Sequence, residues 1–171
     1  LRDVLSHRLG LVSNAYDNIL EAGREPSAIR DMLGDLDLIC PVGQCHGYQN
    51  VAFDTIEEVF FDTTGMDFET LARLRIFDPL GMTNASTTYE GFVSSDDYAR
   101  PHSWRGGNLV EDNVTPPYFR VAAAGGVSSS IQDMSRYLQA QVGQFPDVFE
   151  PEVLQTVHTP VVETLREARG I

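Results

Sequence analysis

Wherever apolar residues recur regularly in this chain they recur with the period of a helix, and glycine or proline soon cuts each run short. Pro26 suits a first helical turn, where its missing N–H is needed by no partner. Ile29, Met32 and Leu33 follow at helical spacing, and Gly34 closes the run. Asp54 is expected to cap a second helix, with Glu57 at the capping-box position, a stripe of Ile56, Val59 and Phe60, and Gly65 at its end. Asp67 is expected to start a third, carrying Phe68, Leu71 and Leu74, which Pro79 and Gly81 stop. The clearest pattern begins at Ser130. Ser130 and Asp133 match a capping box, Ile131, Met134, Leu138 and Val142 run down one face, and Gly143 terminates it. Pro151 opens a last short helix with Val153, Leu154 and Val157, while Leu1, Val4 and Leu5 before Gly10 read as the tail of a first one.

Strand signals are sparse. Residues 83 to 120 hold no sustained period but most of the isolated aromatics, and a hairpin near Asn108 to Glu111 and Tyr118 to Val121 is expected there. Irregular stretches of this length inside a compact domain are usually functional when ordered. The pattern predicts a mainly α unit with long loops and at most a minor hairpin.

A length of 171 residues suits one domain, and 42% apolar with 22% charged residues is ordinary for a globular protein. No apolar run approaches the roughly 18 residues of a membrane span. The net charge of -13 repels phosphate backbones and anionic lipid, so neither a nucleic-acid nor a membrane partner is expected. All twelve basic residues are arginine. Without lysine there is no Schiff base, no P-loop lysine and no Ser-Lys nucleophile pair. A Gly-x-Ser-x-Gly elbow is absent, as are metalloprotease and dinucleotide fingerprints, and no cofactor or metal is expected. Cys40 and Cys45 flank a proline and a glycine; free buried thiols are the default reading and a local disulfide the alternative. The chain opens without methionine and partway into a helical pattern, which predicts an internal piece of a longer protein.

Two segments carry candidate chemistry. Tyr48-Gln49-Asn50 lies between a Pro-Gly loop and a helix, so its backbone is expected to be pinned and its side chains to face outward. A tyrosine acts as a general base only when nearby positive charge brings its pKa well below about 10. An asparagine beside it can donate to a carbonyl and accept from an amide at once. Gly125-Gly126 leads through three serines into the Ser130 helix, a place where free N–H groups can meet an anion or simply be capped. His7, His102 and His158 have no partners in sequence, and hydrogen bonding in surface or core is the default for each.

The order of elements is more specific than any one of them. Ser6-His7-Arg8-Leu9-Gly10-Leu11, Tyr48-Gln49-Asn50, Pro79-Leu80-Gly81-Met82 and Gly125-Gly126-Val127-Ser128 with Asp133-Met134 resemble, in order, four blocks of the class C β-lactamases, penicillin-binding-protein-like esterases and DD-peptidases. The resemblance implies that residues 1–171 are a single partial domain, the helical lobe of the β-lactamase/transpeptidase-like α+β fold. It implies a serine hydrolase that cleaves an ester or amide (a β-lactam, a peptide or a small ester) through an acyl-enzyme. Tyr48 would be the proton-transferring residue and Asn50 a substrate contact, with a small-molecule or peptide carbonyl compound as substrate. The family's Ser-x-x-Lys box would lie before Leu1 and its Lys-Thr-Gly box after Ile171, so the chain alone is expected to be inactive. The face turned towards the missing sheet is expected to be apolar and to favour dimerisation. A non-catalytic binding or regulatory module derived from the same lobe is the alternative reading.

Overall fold

The computed structural model describes residues 1–162. Ten α-helices and one hairpin follow in this order: α1 (Arg2–Leu5), α2 (Asp17–Glu21), α3 (Pro26–Leu33), α4 (Asn50–Asp54), α5 (Ile56–Thr64), α6 (Phe68–Ala72), α7 (Asp78–Leu80), α8 (Tyr89–Val93), β1 (His102–Arg105), β2 (Asn108–Glu111), α9 (Ile131–Gln141) and α10 (Pro151–His158). The fold is the helical lobe that the sequence implies, with a two-stranded sheet as its β structure among the described residues.

Two apolar cores hold it. The first joins Leu11, Leu20, Ile29, Leu33, Val51 and Val121, so that α2, α3 and α4 close on one another. The second joins Ala72, Phe77, Leu80, Met82, Ala85 and Ala140 beneath α9. Between α6 and α7 the backbone widens into a π-helical stretch, Arg73–Phe77. Pro79 lies just beyond it and has no N–H to give, so the helix passes the proline by loosening its ladder and ends two residues later at Gly81.

Several local expectations need correction. Asp54 does not cap α5; it is the last residue of α4, and Thr55 stands at the N-cap of α5 without a side-chain capping bond, its hydroxyl donating back to the Ala52 carbonyl. The Asp54 carboxylate turns inward instead, because Glu57 and the Ala123 backbone N–H lie there to bind it. The hairpin pairs Asn108–Glu111 with His102–Arg105, not with residues 118 to 121. Gly106 and Gly107, both at positive φ, make the two-residue turn that closes strands most tightly. Pro116 and Pro117 cannot donate to a ladder, and Pro117–Arg120 winds into a 3-10 turn. Cys40 and Cys45 are joined in a disulfide rather than free, since the intervening turn brings their Cα atoms to 6.3 Å, inside the bridging range.

The Asp67 cap is present and accepts from the Thr70 N–H at 2.7 Å. Ser130 likewise caps α9 by accepting from the Asp133 N–H at 3.2 Å. Asp133 does not return the bond; its carboxylate accepts from the Asn84 N–H at 2.8 Å and is buried. That contact sets which way α9 faces. Asp133 and Ala140 point into the molecule, while Ile131, Met134, Leu138 and Val142 point into solvent with 84%, 37%, 59% and 74% of their surface exposed.

Candidate active site

Three segments, two of them close in sequence, build the surroundings of Tyr48. The chain from His7 to Asn14 runs beside residues 46 to 50, tied by Gly47 N–H to the His7 carbonyl at 2.8 Å and by Asn14 N–H to the Tyr48 carbonyl at 2.7 Å. Position 47 must be glycine for this approach, because a Cβ there would collide with the Leu11 carbonyl. The third segment is α2, whose first residue is Asp17.

Tyr48 is 40% exposed, as the outward expectation for this triplet requires, but Gln49 and Asn50 are buried at 1% and 6%. Gln49 turns in because its side-chain amide donates to the Val12 carbonyl, which anchors the first segment. The Tyr48 hydroxyl donates to Asn50 Oδ1 at 3.0 Å, and Asn50 Nδ2 donates to Asp17 Oδ2 at 2.8 Å. Tyr48, Asn50 and Asp17 thus form one continuous chain of hydrogen bonds. Burial raises the Asp17 carboxyl above its ordinary range, the bond from Asn50 opposes that, and the charge of Glu21 adds to it. One oxygen of Asp17, Oδ1, is buried without a partner.

His7 supports the tyrosine ring. It stacks on Phe53 at 5.1 Å between centroids and lies 4.5 Å from the ring of Tyr48. The Gln49 backbone N–H donates to His7 Nδ1 at 3.2 Å, which fixes the neutral imidazole with its proton on Nε2. Burial and, less strongly, the neighbouring His46 lower its pKa, which favours the same neutral form. His7 is therefore a packing and hydrogen-bonding residue. His102 and His158 also hydrogen-bond locally, to the Arg100 carbonyl and to Gln141.

Beyond Asp17 on α2, Glu21 accepts from the Tyr118 hydroxyl at 2.7 Å. That bond first, then burial and the nearby acids, push the Tyr118 phenol up to about 12. A second acidic group lies deeper. Asp54 is buried, and burial first, then the Glu57 carboxyl, push it up to about 8; the Ala123 N–H and Arg30 act in the opposite direction. The same N–H donates to Glu57 at 2.9 Å, so the two carboxyls together hold the turn Ala122–Gly126 against α4 and α5. Sequence reading missed Asp17, Glu21 and Asp54 as site-forming groups. Asp17 and Glu21, one helical turn apart on α2, were the one available signal.

The arrangement around Tyr48 can pass a proton between an incoming group and the Tyr48 oxygen, and it holds no nucleophile of the Ser-Lys type. A cavity of about 600 Å³ lies elsewhere, between Arg73, Ser86, Tyr98 and Ser128, and neither Tyr48 nor Asn50 lines it. Among the described residues no group of three or more His, Cys, Asp or Glu is placed to hold a metal ion. No helix among them is long and apolar enough to cross a membrane.

The helical lobe is also what known proteins share with this chain. The sequence profile of the Beta-lactamase family matches residues 1–167, and the chain belongs to that family. Among solved structures it is similar to an octameric penicillin-binding protein homologue from Pyrococcus abyssi, with a TM-score of 0.80 at 21% identity over 97% of this chain and 40% of that one. It is similar also to the simvastatin synthase LovD from Aspergillus terreus, with a TM-score of 0.69 at 20% identity over 95% of this chain and 43% of that one. The D-amino acid amidase from Ochrobactrum anthropi SV3 matches with a TM-score of 0.67 at 19% identity over 90% of this chain and 45% of that one. The chain therefore spans less than half the length of each of these proteins. No curated protein matches it.

Proposed function

We propose that this chain is the helical lobe of a serine hydrolase or acyltransferase acting on an ester or amide carbonyl, and that it supplies the proton-transfer half of the site. The observation that carries the reading is the Tyr48–Asn50–Asp17 chain of hydrogen bonds, standing at a half-exposed tyrosine in a member of the β-lactamase family. The nucleophile, a serine with its lysine, belongs to sequence before Leu1. Tyr48 first gives its phenolic proton to that lysine; the serine hydroxyl oxygen then forms the new bond to the substrate carbonyl carbon while the serine proton passes to the Tyr48 phenolate oxygen. Collapse of the tetrahedral adduct breaks the bond to the leaving group, which takes the proton from Tyr48. Water, or an acceptor alcohol or amine, then releases the acyl group by the reverse transfer. Asn50 retains a second N–H and a second lone pair with which to hold a substrate amide.

The outward face of α9 fits the same reading. Ile131, Leu138 and Val142 are where the rest of the protein packs, and in its absence the face favours self-association. The test is turnover of p-nitrophenyl acetate or a chromogenic cephalosporin by the longer protein that contains this chain. Tyr48→Phe keeps the ring and removes the exchangeable proton, and is expected to lower kcat by roughly 10²- to 10⁴-fold. Unchanged turnover in Tyr48→Phe would overturn the role given to Tyr48.

A further inference from the structure

We infer that Asp17 is a positioning residue: by accepting from Asn50 Nδ2 it fixes which end of the Asn50 amide faces Tyr48, and so fixes the direction in which the Tyr48 hydroxyl points its proton. This rests on the proposed role of Tyr48 for its catalytic meaning, but the geometric part stands on contacts alone.

An ionised carboxylate has only acceptor sites, and a primary amide has a donor end and an acceptor end. Asp17 Oδ2 lies 2.8 Å from the Asn50 amide, so the donor end must face it. The acceptor end, Oδ1, is then left facing Tyr48, and across 3.0 Å the hydroxyl can only donate to it. The lone pairs of the Tyr48 oxygen are thereby left for an incoming donor, such as the hydroxyl of a nucleophile. Without Asp17 both ends of the Asn50 amide fit equally. The NH2 group could then face Tyr48 and occupy those lone pairs. One charge on α2 thus sets the polarity of the whole chain of bonds.

The surroundings of Asp17 are poor for a residue present only for stability. Its other oxygen is buried without a partner, and Glu21 repels it from the next turn of the same helix. Tyr118, from the 3-10 turn, is bound to Glu21, and Arg120 of that turn is committed to Glu25 and the Gly23 carbonyl. No cation among these groups neutralises Asp17. Replacing it with a neutral isostere should therefore leave the fold as stable or more so, while disturbing Asn50.

The experiment uses the longer protein with side-chain amide NMR of Asn50, assigned by its loss in Asn50→Asp, alongside kcat/KM. In the wild type the two Asn50 amide protons are expected to be well separated. They should shift together as Asp17 takes a proton, in a transition above the ordinary aspartate range, because a protonated carboxyl can donate and loses its preference for the NH2 end. Asp17→Asn should abolish that transition and narrow the separation with no fall in Tm. It should also lower kcat/KM by about 10- to 100-fold, the scale of a misplaced catalytic group. An Asn50 signal unchanged in Asp17→Asn would overturn the positioning role, as would a loss of activity explained fully by a lower Tm. If Tyr48→Phe leaves turnover intact while Asp17→Asn still alters the Asn50 signal, the proposed function fails and the positioning role survives.

Discussion

Around Tyr48 the buried polar groups find most of their partners inside the chain; along α9 large apolar side chains stay in solvent. Gln49 and Asn50 are almost fully buried yet bonded to Val12, Tyr48 and Asp17. Ile131, Leu138 and Val142 lie on the exposed face of α9, whose buried residues are Asp133 and Ala140. A buried polar cluster bonded across these segments is largely preassembled, with Asp17 Oδ1 and Gln49 Oε1 left unpartnered, and each further unmade bond there would cost roughly 1–3 kcal/mol. The exposed apolar stripe of α9 is the reverse, large apolar side chains with no cover among the described residues. Under the proposed function, one region carries chemistry and the other attachment.

The comparison breaks most easily in the core. Ile29 is fully buried in the first core, so Ile29→Ala is expected to lower the unfolding free energy by about 2–5 kcal/mol in a denaturant titration. Leu138→Arg in the exposed stripe is expected to move it by less than about 0.5 kcal/mol, while sedimentation of the isolated chain shifts towards monomer. Equal losses in the two variants would erase the distinction between the regions.

A subtler test lies in the carboxyl pair behind the site. Asp54 has a folded-state pKa raised from the ordinary aspartate range to about 8. Between those limits the folded chain holds a proton that the unfolded chain has lost, so stability is full in acid and falls as pH rises towards 8. Thermal melts should show Tm declining across that window, and Asp54→Asn should flatten the decline. A Tm that rises over the same range would contradict the buried pair. The effect is local to the turn Ala122–Gly126 and should leave α9 and α10 unchanged in hydrogen exchange.

Much of this was legible in the sequence, for reasons that vary by residue. Asp67 and Ser130 are caps because a cap needs only neighbours three residues away, and sequence supplies those directly. The period of α9 was also plain, but not its facing. That depends on Asp133 meeting Asn84, a contact 49 residues apart. Asp54 looked like a cap for the same reason that Asp67 is one, and lost that role to the Ala123 N–H, which sequence proximity does not reveal. The 108–111 strand was visible, whereas its partner was not, since residues 83 to 120 show no sustained period. For the site, the order of blocks led to Tyr48 and Asn50. Asp17 was hidden because nothing in the stretch from Ala15 to Glu21 distinguishes a carboxylate aimed at Asn50 from one in solvent.

Under the proposed function, this lobe completes an acyl-transfer site whose nucleophile lies outside it. Peptide mapping by mass spectrometry, after the longer protein is quenched during reaction with a β-lactam or an activated ester, tests this directly. The expected result is an acyl group on a serine preceding Leu1, lost or strongly slowed in Tyr48→Phe, with residues 1–171 unmodified. An acyl group on a serine within residues 1–171, or no covalent adduct with any carbonyl substrate, would contradict it.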